Sequence, residues 1–309
     1  ARGDPLKVSA KALSLDKIQA IDPLDGTSRS VQFVLDSRLE ADGIVVLYGG
    51  QVVAERYRNG LQMESPRLLL DATRPLLNVI GAIGLAQGKF AADWSVSRAI
   101  SPLRNSIGLR KFSVQRLLEN KYLHEWTPED LSGWRQAAGW TEMPGSGIRA
   151  WLAASGRWDK PAVQPSQPLA VSSPEDDLLA WLLTESYRQP LSLLFCEQLQ
   201  SRNRPEFPVL WLADGEGTEL GNGLAISLRD FTRLGQQLLG ARANRSQTHI
   251  PAWLVETLAA PARGQPSMLP GLPEGSEMRF GFVHLGGRAN SAALIGSDGA
   301  SLFIDFDQR

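Results

Sequence analysis

Asp71 and Arg74 are the first side chains in the chain whose types and spacing suggest chemistry, because they stand between an apolar run and a long helical pattern. A carboxylate can accept a proton or attack an electrophile, whereas a guanidinium stays protonated at neutral pH and cannot act as a general base. The same residues also have a structural interpretation. In that interpretation, which we favour, Asp71 caps the following helix and pairs with Arg74 at i,i+3.

Two adjacent serines and three histidines are the other candidate reactive groups. Ser172 and Ser173 carry hydroxyls, but the Pro174 and acidic residues that follow them are typical of a helix start. The histidines, His124, His249 and His284, are scattered without the spacing of metal ligands. The sequence therefore predicts no metal site, and nothing in it indicates a cofactor.

The composition is that of a globular chain with a sizeable core. Of 309 residues, 43% are hydrophobic and 21% are charged, which is enough for one large domain or two interleaved ones. The formal net charge is -1, so no basic surface for nucleic acid is indicated. No apolar stretch approaches the roughly 20 residues that span a bilayer, so we expect no membrane span.

The elements that must position these residues begin with a hairpin. Gly43 to Gly49 and Gln51 to Tyr57 are β-branched runs joined at a glycine turn. Ser30 to Leu39 shows helical spacing, with Thr27 or Ser28 as the expected cap. Ala72 to Leu85 is apolar on most sides, which predicts a buried central helix that ends near Gly88.

Helical patterns dominate the middle of the chain, and strand-like runs return at its end. The clearest helical segments are Phe112 to Leu118, Asp176 to Leu183 and Leu228 to Leu239. Arg279 to Phe306 contains three strand-like runs, with a turn at Ser297 to Gly299. Strands at both ends predict an α/β (α+β) fold, with an antiparallel sheet built from both termini and flanked by helices. We expect residues 1–90 and 207–309 to form the sheet subdomain and residues 91–206 to form a helical subdomain.

Several of these segments, in this order, resemble the serine β-lactamase and penicillin-binding-protein family, in particular its class C β-lactamase-related members. Asp71 to Phe90 resembles the helix that carries the family's Ser-x-x-Lys motif. Val171, Ser172 and Ser173 align with its Tyr-Ser-Asn motif, and Leu224 to Leu239 is similar to a later helix. The resemblance implies a β-lactamase/transpeptidase-like fold with one interleaved domain.

The residues that would carry the family's chemistry are replaced in this chain. Asp71 stands at the position of the nucleophilic serine, and Arg74 stands at that of the lysine. Val171 replaces the tyrosine and has no proton to exchange, while Ser173 replaces the asparagine. Acyl transfer requires a hydroxyl nucleophile and a base that can take its proton, so the resemblance implies that the catalytic motifs are degenerate.

The family's third motif, a Lys or His followed by small residues on a strand, has two possible registers here. One register places His284, Leu285 and Gly286 at the motif and leaves a hairpin to complete the sheet. The other places Leu294-Ile295-Gly296 there and leaves the last strand missing. We prefer the first register, because the turn at Ser297 to Gly299 then joins two complete strands.

The resulting hypothesis is a β-lactamase-like protein that has lost serine acyl transfer. Its relict cleft, with Asp71, Arg74, Ser172, Ser173, His284 and Gly286 as candidate contacts, would bind a small-molecule or cell-wall peptide-like ligand or a protein partner. The alternative is a hydrolase with a rearranged site that uses another serine, such as Ser172 or Ser113. A third possibility is a structural scaffold with a closed cleft. By analogy with most relatives, we expect a periplasmic or extracellular location, with the cytoplasm not excluded.

Overall fold

A computed structural model describes residues 3–22, 24–120, 126–143, 145–154, 156–159, 172–200, 204–243, 248–262 and 272–308. His124 and Val171 lie outside these residues. The strands of the described part are β1 (Gln19–Ile21), β2 (Ser28–Ser30), β3 (Gly43–Tyr48), β4 (Gln51–Tyr57), β5 (Arg67–Leu68), β6 (Leu210–Ala213), β7 (Glu219–Ile226), β8 (Glu277–Arg279), β9 (Phe282–His284), β10 (Ser291–Ile295) and β11 (Ser301–Asp305).

The helices of the same residues are concentrated between β5 and β8. They are α1 (Val31–Phe33), α2 (Arg74–Ala86), α3 (Val96–Ala99), α4 (Ile107–Arg110), α5 (Val114–Leu118), α6 (Pro128–Ala137), α7 (Ile148–Ala153), α8 (Pro174–Tyr187), α9 (Leu191–Phe195), α10 (Leu228–Ala243) and α11 (Ala252–Ala259). Two 3-10 turns (Leu70–Thr73 and Ser101–Leu103) and two π-helical segments (Val34–Arg38 and Cys196–Gln200) extend or join them.

The N-terminal hairpin is confirmed. β3 and β4 pair antiparallel, from Gly43 opposite Tyr57 to Tyr48 opposite Gln51, and the two glycines between them form the turn. The helix before the hairpin also forms, but its predicted cap is wrong. Ser30 caps α1 by accepting a hydrogen bond from the N–H of Phe33 (3.1 Å), because Ser28 is taken up in β2, which pairs with β1.

The central helix is confirmed as well. α2 runs from Arg74 to Ala86, and every residue as far as Gly84 is buried. Its glycines allow close contact with neighbouring side chains: a Cβ at Gly81 would lie 2.3 Å from Leu118. Burial on all sides explains why this segment is apolar around its whole circumference.

The sheet of the predicted fold is present in separate parts. β8, β9, β10 and β11 form a four-stranded antiparallel sheet, β5, β7 and β6 form a second sheet, and β3 pairs with β4 in a separate hairpin. Helix α10 packs against both β3 and β11, but no ladder joins these two strands in the described residues. The α/β fold class is confirmed.

Among the described residues between 91 and 206, regular structure is helical, apart from an isolated bridge between Ser95 and Ser113. One hydrophobic core includes residues from this segment and from α2, α10 and β10, as expected for an interleaved unit. The division into two subdomains at residues 90 and 207 stays a prediction. None of the helices in the described ranges is both long and apolar enough to cross a membrane.

Candidate functional site

Asp71 lies in a 3-10 turn directly before α2, and its carboxylate faces the turn between β10 and β11. Ser297 donates its backbone N–H (3.0 Å to Oδ2) and its hydroxyl (2.9 Å to Oδ1) to this carboxylate. Asp71 is only 6% exposed, whereas Ser297 is exposed. The predicted capping role of Asp71 is wrong, since its side chain is engaged with a residue from the other end of the chain.

The backbone before Asp71 is strained. Leu70 has φ of 45°, in the left-handed region that bulky residues rarely occupy, at a cost of about 1 to 3 kcal/mol. Leu69 is buried, and its N–H donates to the carbonyl of Leu224 on β7 (2.8 Å). The turn is therefore fixed on one side by β7 and on the other by the contact between Asp71 and Ser297.

Burial raises the pKa of Asp71 above its usual value, and the two hydrogen bonds from Ser297 oppose this rise. The first effect disfavours the carboxylate, while the second favours it. Asp71 is thus a buried acid whose two carboxylate oxygens already accept hydrogen bonds from Ser297. A nucleophile would instead be exposed to its substrate.

Arg74 is buried on the first turn of α2 and forms three hydrogen bonds. It donates to Asp176 Oδ1 (2.8 Å), to the backbone oxygen of Leu117 (2.6 Å) and to Asn78 Oδ1 (3.3 Å). The predicted ion pair between Arg74 and Asp71 is wrong. Because Asp71 faces Ser297 and Arg74 faces α8, the two side chains serve different contacts.

Ser173 and the three acids after Pro174 form the start of α8. The backbone N–H of Ser173 donates to Asp176 Oδ2 (3.1 Å), which confirms a helix start at this position. Unlike most first-turn acids, Glu175, Asp176 and Asp177 are at most 3% exposed. Ser173 is fully buried, while Ser172 is half-buried.

Each of these buried acids has a different principal partner. Asp176 takes Arg74, Glu175 accepts from Trp126 Nε1 (2.8 Å), and Asp177 accepts from Trp134 Nε1 (2.7 Å). Burial raises the pKa of Glu175 and that of Asp177 to about 7. Smaller opposing effects come from the N–H of Trp126 at Glu175, and from the N–H groups of Gly221 and Trp134 at Asp177. Burial also raises the pKa of Asp176, although the charge of Arg74 opposes it.

The tryptophans near this cluster fill the helical region. The ring of Trp126 lies 5.1 Å from that of Trp158, edge to face, and 5.6 Å from that of Trp151. All three side chains are at most 9% exposed. They therefore pack against one another and orient the N–H that Trp126 gives to Glu175.

His284 and Gly286 lie away from Asp71. Gly281, at the start of the β9 hairpin, approaches Pro75 and Asn78 on α2, and His284 is three residues, or roughly 10 Å of strand, farther along. The N–H of Gly286 donates to Oγ of Ser276 (2.9 Å), the residue directly before β8. His284 is 1% exposed. Burial, with added repulsion from Arg279, lowers its pKa to about 4, so its imidazole is neutral.

The strand that the structure brings to Asp71 is β10. Gly296 directly follows β10, and a Cβ on it would lie 3.3 Å from Ala72 Cβ, next to the contact of Ser297 with Asp71. The third-motif position beside Asp71 is thus the register Leu294-Ile295-Gly296. The preferred register, which places His284 at this position, is wrong. β9 runs antiparallel to β10 and carries His284 toward the opposite end of the sheet, so His284 does not face Asp71.

The described part of the site offers acids and one fixed cation. It contains no group of three His, Cys, Asp or Glu side chains that could hold a metal ion. Arg74 cannot take a proton, and Asp71 receives a proton donor instead of presenting a nucleophile. The sequence did not indicate Ser297 as a site residue. Its contact with Asp71 joins residues 226 positions apart, and the residues around it predict only a turn.

Comparisons with known proteins establish the fold of this chain and nothing beyond the fold. No protein-family model and no curated protein matches the chain. Among solved structures, a Bacillus anthracis protein assigned as a 6-aminohexanoate-dimer hydrolase matches with a TM-score of 0.78 at 18% identity, over 99% of this chain and 81% of that one. EstCE1, a hydrolase with promiscuous acyltransferase activity, matches with a TM-score of 0.63 at 16% identity, over 89% of each chain.

A third structure, the octameric penicillin-binding protein homologue from Pyrococcus abyssi, gives a TM-score of 0.65 at 12% identity, over 90% of this chain and 70% of that one. At such low identity the similarity establishes the shape of the chain and leaves its activity open.

Proposed function

The chain has the β-lactamase/transpeptidase-like fold, as its similarity to these structures shows. From this premise we propose that the protein does not perform serine acyl transfer and works by binding a ligand or a protein partner. The observation that carries the proposal is the pair of separate contacts at the start of α2: Asp71 is held by Ser297, and Arg74 is held by Asp176.

The chemistry of these contacts supports the loss of acyl transfer. Attack by the Asp71 carboxylate on an ester or amide would give an anhydride, which is a poor intermediate for hydrolysis. Arg74 would have to leave Asp176 and the carbonyl of Leu117 to reach a substrate, and it would arrive protonated. The remaining relay position in the sequence holds Val171, whose side chain carries no exchangeable proton.

Burial at the relict site bears on where a ligand would bind. Asp71, Arg74 and Ser173 are nearly inaccessible, whereas Ser297 is exposed directly above Asp71. A ligand of the relict cleft, such as a cell-wall peptide, would therefore meet Ser297 and half-buried Ser172 before any buried acid. A periplasmic or extracellular location stays part of this proposal.

A hydrolase with a rearranged site is the second candidate function, and one contact favours it. Ser297 Oγ lies 2.9 Å from Asp71, so a hydroxyl and a carboxylate still meet at this place with their order exchanged. Ser113, an earlier candidate nucleophile, instead caps α5 by accepting from the N–H of Arg116 (3.3 Å). Among the described residues Ser297 is the serine hydroxyl that donates to Asp71.

Hydrolysis assays with a chromogenic cephalosporin and p-nitrophenyl esters distinguish the two candidates. We expect the purified protein, the Ser297→Ala variant and the Ser172→Ala variant to hydrolyse these substrates no faster than a buffer control. Turnover by the wild-type protein that one serine variant abolishes, while the other serine variant retains it, would establish the rearranged hydrolase and overturn the proposal.

A further inference from the structure

A pocket of about 210 Å³ lies where the last turn of α10 meets α11 and the residue that leads into β10. We call it the Arg242 pocket, because Arg242 is the only cation among its described lining residues. The lining combines small apolar side chains with a few polar ones, among them Ala252, Val255, Ala259, Arg242, Glu256 and Asn290.

The Arg242 pocket lies far from the relict site at the start of α2. Asn290 directly precedes β10, whereas the turn that holds Ser297 follows the other end of that strand. β10 has five residues and therefore spans roughly 16 Å. Neither Asp71 nor Arg74 lines the pocket. A ligand bound there would leave the relict site untouched.

The guanidinium of Arg242 is held in place by two contacts. Its Nη2 donates to Oδ1 of Asn290 (3.1 Å), and its central carbon lies 5.5 Å from the ring centre of Phe306. A guanidinium that lies over an aromatic ring keeps the N–H groups of its edge available for an acceptor. Arg242 is therefore a positioned cation in the wall of the pocket.

Arg242 has no carboxylate partner among the described residues, and its Nη1 is shielded from water without a hydrogen bond. By contrast, the buried guanidinium groups of Arg74, Arg229 and Arg233 each pair with a carboxylate. A buried donor without an acceptor is costly, and proteins usually satisfy it. The guanidinium of Arg242 is thus able to take an anionic acceptor from outside the chain.

The other polar groups around the pocket do not cancel the charge of Arg242. Glu256 is exposed, so water and salt screen its carboxylate. The last carbonyls of α11 already have donors. That of Ala259 accepts from the N–H of Asn290 (3.1 Å), and that of Ala260 accepts from Nη1 of Arg279 (3.3 Å). The partial negative charge at this helix end is therefore largely offset.

The size and lining of the pocket define a class of ligand. At about 30 Å³ for each water-sized group, a volume of about 210 Å³ holds roughly seven non-hydrogen atoms. Ala252, Val255 and Ala259 offer only hydrocarbon to a ligand through their side chains. An anion with a short hydrocarbon chain matches both the guanidinium and this apolar wall.

We propose that the Arg242 pocket binds a short aliphatic carboxylate. The carboxylate accepts hydrogen bonds from the guanidinium of Arg242, and the hydrocarbon chain packs against the apolar side chains of α11. Inorganic phosphate carries the charge without the chain, so it binds more weakly. This site is separate from the relict cleft, and the proposal does not depend on the loss of acyl transfer.

Titration of the ¹⁵N-labelled full chain with valerate, followed by NMR, tests this proposal. Valeramide is the matched probe, because a neutral amide replaces the carboxylate at the same size. We expect saturable shifts at the amides of Ala241, Arg242 and Asn290, with a Kd of about 1 mM or below. We expect valeramide and inorganic phosphate to bind at least about tenfold more weakly. No saturable binding up to about 20 mM valerate, or equal binding of valeramide or phosphate, would overturn the proposal.

Two arginine variants determine where valerate binds. Arg242→Gln removes the cation of the pocket. Arg288→Gln removes an arginine that lies over the ring of Phe303 in a similar way (5.7 Å) but does not line the pocket. We expect Arg242→Gln to weaken valerate binding at least about tenfold, and Arg288→Gln to weaken it less than about twofold. Equal losses would show that valerate responds only to surface charge, which contradicts the proposal.

A third variant keeps the cation and removes the space. Ala252 is half-buried on the first turn of α11, where leucine is tolerated by the helix and would fill part of the pocket. We expect Ala252→Leu to fold, as measured by urea denaturation, and to bind valerate at least about tenfold more weakly. This variant decides the question if Arg242→Gln does not fold. Unchanged valerate affinity in folded Ala252→Leu protein would show that the ligand binds elsewhere.

Discussion

The start of α2 and the region between β3 and β11 use their hydrogen-bonding groups in opposite ways. At the start of α2, both buried side chains form hydrogen bonds. Asp71 accepts from Ser297, and Arg74 donates to Asp176 and to the carbonyl of Leu117. Between β3 and β11 lies a gap of about 1530 Å³, and no ladder joins these two strands in the part of the chain that the structure describes. The comparison teaches that the buried polar side chains of the relict site are committed to the fold, while the facing edges of β3 and β11 keep backbone groups outside any ladder of the described residues.

Removal of the Arg74 side-chain charge should give the largest effect. Arg74→Met leaves Asp176 buried without its cation and Leu117 without its donor, and we expect a loss of about 3 to 5 kcal/mol in the free energy of unfolding. Urea denaturation measures this loss. Part of it should return as the pH is lowered, because protonation of Asp176 removes its uncompensated buried charge.

Arg67→Met is the matched control, because Arg67 pairs with Asp42 at the surface with about half of its side chain exposed. We expect at most about 1 kcal/mol for this exposed pair. Equal losses in the two variants would contradict the view that the Arg74 pair is structural.

The pH dependence of stability should give an intermediate effect. Folding raises the pKa of Glu175 and Asp177 to about 7, so the folded state holds protons that the unfolded state releases near pH 4. Their contribution is full below pH 4 and is lost as the pH rises through 7. We expect the unfolding free energy to fall between pH 5 and pH 8, by on the order of 2 kcal/mol for each of the two acids.

Asp177→Asn, which keeps the size of the side chain, should flatten this dependence, as measured by urea denaturation across the same pH range. Asp298→Asn, at an exposed position outside the cluster, serves as the control and should leave the slope unchanged. A wild-type stability that increases toward pH 8 would show that these acids are ionised in the folded protein.

The smallest effect is expected on β11. Phe303 is 47% exposed on β11, the outer strand of the four-stranded sheet, and Phe303→Thr should change the unfolding free energy by no more than about 1 kcal/mol. Urea denaturation of the free protein provides the measurement. A loss comparable to that of Arg74→Met would mean that the open edge of β11 is part of the core.

The elements with a clear residue period could be predicted from the sequence. Alternation and two glycines determine the β3–β4 hairpin, and an apolar run around the whole circumference determines α2. The start of α8 follows from Ser173 and Pro174. These features depend on residue periods and on contacts between positions close in the chain, both of which a single sequence contains.

The contacts that close the site could not be predicted, because they join distant parts of the chain. Asp71 and Ser297 are 226 positions apart, and Arg74 and Asp176 are 102 apart. At i,i+3, Asp71 and Arg74 have the spacing of a local pair, but separate distant partners outcompete it. The register at His284 failed for a related reason, since only the antiparallel pairing of β9 with β10 shows which end of each short strand faces α2.

The intact mass of the wild-type protein after prolonged incubation with a fluorophosphonate probe tests the central claim most directly. Although the Ser297 hydroxyl donates to the Asp71 carboxylate, the lysine and tyrosine positions of the relay hold Arg74 and Val171, so we predict no adduct at any serine. An adduct of one probe per chain, mapped by peptide mass spectrometry to a single residue such as Ser297 or Ser172, would contradict the loss of serine chemistry.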